Sequence, residues 1–213
     1  PVNFRLAGAE ITYIVQHSQA RAFIVQDALL TVVDGVRSEL PIAPGAYVRL
    51  ADPASAESAG AAAGSSTPAA TATTAQLGHW LEYEALIGAA PASSVDREVR
   101  PGDLFALMYT SGTTGRPKGA MRSHQGNALI AMATALEFGL SREDTGLLVM
   151  PLCHANSLYF GVTFALLGAT IVVDDRARFD PAALLAQLAR DRITFTSLVP
   201  THYIMMLDLP AEV

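Results

Sequence analysis

Apolar residues along the chain change their spacing from segment to segment, and that spacing predicts the elements. Between Glu10 and Ser18, Ile11, Ile14 and Val15 recur at helical intervals, whereas Ala22–Val25 and Ala46–Leu50 are short apolar runs of strand length. From 52 to 75 the period vanishes into Ala, Ser, Thr, Gly and Pro, side chains too small to offset the cost of ordering the chain. A loop or linker is expected there. The expected organisation is a first α/β unit over 1–51, the linker over 52–75, and an α/β subdomain over 76–213.

Past the linker, Trp80–Leu86 reads as a short helix. Leu104–Tyr109 and Gly119–Arg122 read as strands, with Ser123 capping a helix that runs to about Phe138. Gly146–Met150 is a predicted strand, Ala155–Leu167 a helix and Thr170–Val173 a buried strand. Asp180-Pro181 opens a further helix with Leu184, Leu185 and Leu188 on its inner face. Ile193–Val199 is expected as a strand, and Thr201 as the cap of a last helix. Strand–helix alternation of this kind predicts an α/β fold with largely parallel sheets flanked by helices.

Composition narrows the function classes. The 213 residues carry a net charge of −6 with no basic stripe, which argues against nucleic-acid binding. The apolar run Leu158–Val173 is broken by Gly161 and Gly168 and falls short of a membrane span of roughly 20 residues. Cys153 is the only cysteine, which fits a reducing cytoplasm. The opening Pro1-Val2-Asn3 lacks a basic-then-apolar leader, and no secretory signal is expected.

The candidate chemistry sits between the two central strands, in Thr110-Ser-Gly-Thr-Thr-Gly-Arg-Pro-Lys-Gly119. Gly112 and Gly115 allow backbone N–H groups to turn inward as an anion nest, and Thr110, Ser111, Thr113 and Thr114 add hydroxyl donors. Lys118 supplies a compact positive charge suited to phosphate, and Arg116 and Arg122 make the segment locally basic. It is not the G-x-x-x-x-G-K-[ST] loop, because Pro117 stands where that pattern needs glycine and Gly119 where it needs Ser or Thr. A loop joining two strands also aims no helix dipole at its ligand.

This string resembles the signature of the adenylate-forming superfamily, which includes acyl-CoA synthetases, luciferases and peptide-synthetase adenylation domains. Pro1–Leu6, Met150-Pro-Leu-Cys-His-Ala155 and Val199-Pro-Thr201 resemble further segments of the same family. The family's later motifs do not occur, so the chain is expected to be an incomplete part of the large N-terminal domain. The resemblance implies activation of a carboxylic acid by ATP to an acyl-adenylate, then transfer to coenzyme A, with Mg2+ required. It implies phosphate contacts from Thr110, Ser111, Gly112, Thr113, Thr114, Gly115 and Lys118, with Thr114 helping to place the metal.

By the same resemblance Lys118 and His154 are the candidate catalytic residues, and His154, Asn156, Ser157 and Phe160 line the acid pocket. A core histidine is the bland alternative for His154. Adjacent Cys153 is read as an inert thiol. No acidic residue stands in Cys-His-Ala-Asn-Ser to meet an amino-acid ammonium, which favours a plain acid, and the apolar surroundings favour a fatty or aryl one. A fatty acyl-AMP ligase loading a carrier protein and a non-catalytic binding module are the alternatives. A homodimer is left open.

Overall fold

The structure is a computed structural model, and it describes residues 1–52, 80–110, 116–176 and 178–210. It divides into two compact units, Val2–Arg97 and Glu98–Val213.

In the first unit, α1 (Gly8–Ser18) buries Ile11, Ile14 and Val15, the face its spacing predicts. β1 (Phe23–Gln26), β2 (Tyr47–Leu50) and β3 (Leu81–Glu82) form a parallel sheet in that order, with Phe23 opposite Tyr47 and Val48 opposite Leu81. The short helix α2 (Leu30–Asp34) contributes Val33 to the core, together with Leu40, Ile42, Tyr47 and Trp80.

Two expectations change in this unit. Residues from Trp80 to Arg97 join the first unit, whereas the sequence reading starts the second at 76. The cause is long-range: the Trp80 ring packs edge-on against Tyr47 at 5.4 Å, its Nε1 donates to Asp34 Oδ1 at 3.1 Å, and Leu81–Glu82 extends the sheet. For the same reason the helix expected over Trp80–Leu86 starts later, as α3 (Tyr83–Ala89). The stretch 53–79, which holds nearly all of the expected linker, lies outside the described residues.

In the second unit, β4 (Leu104–Thr110) and β5 (Lys118–Ser123) pair antiparallel. Ser123 Oγ then accepts from Gly126 N at 3.1 Å and caps α4 (His124–Phe138). β6 (Thr145–Leu148), α5 (Ala155–Leu167) and β7 (Thr170–Val173) follow, then α6 (Pro181–Arg190), β8 (Phe195–Thr196) and α7 (Pro200–Leu207). The sheet order is β7-β6-β8, all parallel, so α/β with parallel sheets holds and the hairpin is its antiparallel exception.

α5 seats Phe164 on β6 so closely that a Cβ on Gly146 would collide with the Phe164 ring. Both α4 and α5 end on a left-handed glycine, Gly139 and Gly168. Asp180 caps α6 as predicted, its Oδ1 accepting from Ala183 N at 3.0 Å.

Three details of this unit correct the sequence reading. β7 is an edge strand with Ile171 and Val173 exposed, not a buried one. The last strand shrinks to Phe195–Thr196. Val199, not Thr201, occupies the cap position of α7, with Pro200 in its first turn. Among the described residues no helix is long and apolar enough to cross a membrane.

Candidate functional site: the hairpin and the helix behind it

The β4–β5 register places Thr110 opposite Lys118, Met108 opposite Ala120 and Ala106 opposite Arg122. Side chains alternate along a strand, so these six share one face of the hairpin. The two ends of the signature string, Thr110 and Lys118, are therefore cross-strand neighbours, and both are exposed. The strand-to-strand link predicted for the loop is observed, with no helix opening at its end. On the other face, Tyr109 stands opposite Gly119 and its ring covers the glycine; a Cβ there would meet the ring at 3.2 Å. Ser111, Gly112, Thr113, Thr114 and Gly115 lie outside the described residues.

α5 stands against the signature-bearing face. Tyr159 OH accepts from Arg122 Nη1 at 2.9 Å and lies 3.5 Å from Met108 Sδ, so one phenol touches both strands. The Arg122 guanidinium also lies 4.8 Å from the Tyr159 ring centre. Its Nη2 is buried with no hydrogen-bond partner among the described residues.

His154 occupies the cap position of α5, exposed, with extended backbone and no capping bond from its side chain. The core-histidine alternative expected burial, which His154 does not show in this chain. Cys153 beside it is half-buried, and burial pushes its thiol pKa up, away from the thiolate a nucleophile needs.

The remaining predicted pocket residues diverge around the start of α5. Asn156 Nδ2 donates to Ser197 Oγ at 2.7 Å, tying the first turn of α5 to the segment after β8. Ser157 is fully buried, and its hydroxyl finds no partner among the described residues. Phe160 packs on Phe195 at 4.7 Å and Phe138 at 5.6 Å, forming an aromatic cluster. Tyr159 and Ser197 carry no sequence signal, because their partners are 37 and 41 residues away.

No group of three or more His, Cys, Asp or Glu among the described residues could hold a metal ion. Mg2+ is usually held by one or two carboxylates together with substrate phosphates, an arrangement that needs no such cluster.

The family model described as AMP-binding enzyme matches residues 1–213. The chain belongs to the AMP-binding enzyme family. It is 30% identical over 201 residues to the medium-chain-fatty-acid–CoA ligase of Ectopseudomonas oleovorans, an alignment covering 93% of this chain and 34% of that protein. To the indoleacetate–CoA ligase of Aromatoleum aromaticum it is 32% identical, over 99% of this chain and 36% of the relative. This AMP-binding chain thus spans about a third of the length of these curated relatives. Its fold resembles the inhibitor-bound N-terminal domain of FACL13 from Mycobacterium tuberculosis, with a TM-score of 0.74 at 23% identity, covering 99% of this chain and 45% of that one.

Proposed function

We propose that the complete protein activates a carboxylic acid with ATP and passes the acyl group to coenzyme A. The observation that carries this is the antiparallel hairpin holding Thr110 opposite Lys118 at the two ends of a phosphate-binding string. In the first step a carboxylate oxygen attacks the α-phosphorus of ATP, the bond to the β-phosphate oxygen breaks, and pyrophosphate leaves. Lys118 faces the charge that grows on the leaving group. Such a contact is stronger in the transition state than in the ground state, and it therefore raises the rate. Thr110, Ser111, Gly112, Thr113, Thr114 and Gly115 supply the remaining phosphate donors. In the second step the sulfur of coenzyme A attacks the acyl carbon and AMP leaves. Mg2+ accompanies the triphosphate, and Thr114, which lies outside the described residues, helps to place it.

His154 at the head of α5 faces the reacting acid; Asn156 and Ser157 follow it in the first turn, the one bonded to Ser197 and the other buried. The aromatic side chains clustered at Phe160 favour a fatty or aryl chain over a small polar acid. The names of the two curated relatives, one for a fatty acid and one for an aryl acid, support both classes. A carrier-protein thiol is the alternative acceptor.

The test is to incubate the complete protein with ATP, Mg2+, coenzyme A and single acids of short, medium, long and aryl type. The expected products are AMP and an acyl-CoA thioester detected by mass. Acyl-adenylate accumulating without thioester moves the assignment to a carrier-protein ligase. Absence of AMP with every acid moves it to a binding module.

A further inference from the structure

We propose that Arg122 and Tyr159 form a positioning pair that sets the angle of the β4–β5 hairpin on α5, and so the place of Lys118. The proposal rests on the acid-activation reading. Arg122 and Lys118 lie on one face of β5, and the register between them is continuous, its only shift falling at Leu104/Ala106. The strand from 118 to 122 therefore moves as one rod of about 13 Å. Arg122 is at one end, bonded to Tyr159 OH at 2.9 Å, and Lys118 is at the other, exposed. A tilt of about 4° about the Arg122 end moves Lys118 by about 1 Å, enough to cost on the order of a hundredfold in rate when the misplaced group faces reacting atoms.

Tyr159 suits an anchor because its hydroxyl stands between the strands, 3.5 Å from Met108 Sδ on β4 as well as bonded to Arg122 on β5. It also lies five residues after His154, about 7.5 Å along the axis of α5. One phenol thus fixes the hairpin relative to the helix that carries the other candidate catalytic side chain.

Packing alone does not account for Arg122. Its Nη2 is buried without a partner among the described residues, a cost that an apolar side chain of similar length would avoid. The guanidinium is explained by what its other nitrogen and its plane do, which is to hold the phenol by hydrogen bond and ring contact together.

The test is ATP–pyrophosphate exchange by the complete protein at saturating acid, with ATP varied, and a melting temperature for every variant. Tyr159→Phe keeps the ring and removes the hydroxyl. The expected result is a kcat about tenfold lower, a KM for ATP within about twofold of wild type, and little change in melting temperature. Arg122→Lys keeps the charge without the planar fork and is expected to fall by a similar factor, the double variant falling little further than either single one. Should Tyr159→Phe fail to fold, Arg122→Lys decides by the same measurements. Wild-type kcat in the folded variants overturns the pair, as does a loss that merely tracks the folded fraction. No exchange by the wild-type protein with any acid overturns the acid-activation reading instead, and the pair with it.

Discussion

The two units treat their interior polar groups differently. In Val2–Arg97 nearly all of those on the described residues are matched. Arg49 on β2 is clamped between Asp27, which takes both its Nε and its Nη2, and Glu82, which takes Nη1 at 2.9 Å. Arg37 lies over Tyr47 and Trp80 at 4.0 and 4.6 Å, and Asp34 takes the indole proton. Of the buried side-chain atoms without a partner among the described residues, only Thr12 Oγ1 belongs here, whereas Arg122, Asn127, Ser157 and His202 each leave one in Glu98–Val213. An unmet buried group costs about 1–3 kcal/mol. The first unit spends its polar chemistry on stability. The second, which carries the signature string, leaves polar atoms unmet on β5, α4, α5 and α7.

The largest effect that would break this comparison is at Lys118. Lys118→Ala is expected to lower kcat for exchange about 10²–10³-fold, the size found when one transition-state donor is removed. Its melting temperature should stay at the wild-type value, because the side chain is exposed. A stability loss with unchanged kcat would make the second unit resemble the first.

Next comes Arg49, whose side chain is 18% exposed. Arg49→Ala removes its bonds to Asp27 and to Glu82 and is expected to cost about 2–3 kcal/mol in chemical denaturation, somewhat less than a fully buried pair, with KM for ATP unchanged. Ser157→Ala sharpens the contrast, since removing an unmatched buried hydroxyl should leave denaturation stability equal or up to about 1 kcal/mol higher. A loss above that size would mean the hydroxyl is satisfied.

The smallest effect is a pH dependence. Asp144 accepts from Ser141 N at 2.7 Å and from Thr194 Oγ1 at 2.7 Å, and these bonds hold its carboxyl below the usual carboxylate range. A depressed folded-state pKa gives stability that is full above the unfolded value and lost as pH falls through the folded one. Wild type should therefore lose melting temperature below about pH 4, and Asp144→Asn should lose less over that interval.

What was legible in the sequence was local. Ser123 and Asp180 announced their helices because a cap involves residues three apart, and both caps are present. The inner face of α1 followed from spacing alone. The string from Thr110 to Gly119 pointed to the family, and the family model matches residues 1–213. The Arg122–Tyr159 anchor and the place of Trp80 were not legible, since each depends on partners tens of residues distant. The predicted strand Ile193–Val199 failed for a related reason. Only Phe195 and Thr196 find ladder partners, on Gly146 and Leu147, so apolar content overestimated its length.

The proposed role of the hairpin is to serve a reaction in which a carboxylate displaces pyrophosphate from ATP. ATP–pyrophosphate exchange by the complete protein, acid by acid and without coenzyme A, tests it most directly. The expected result is exchange that depends on an apolar carboxylic acid and falls about 10²–10³-fold in Lys118→Ala. Exchange absent with every acid, or undiminished in Lys118→Ala, would contradict it.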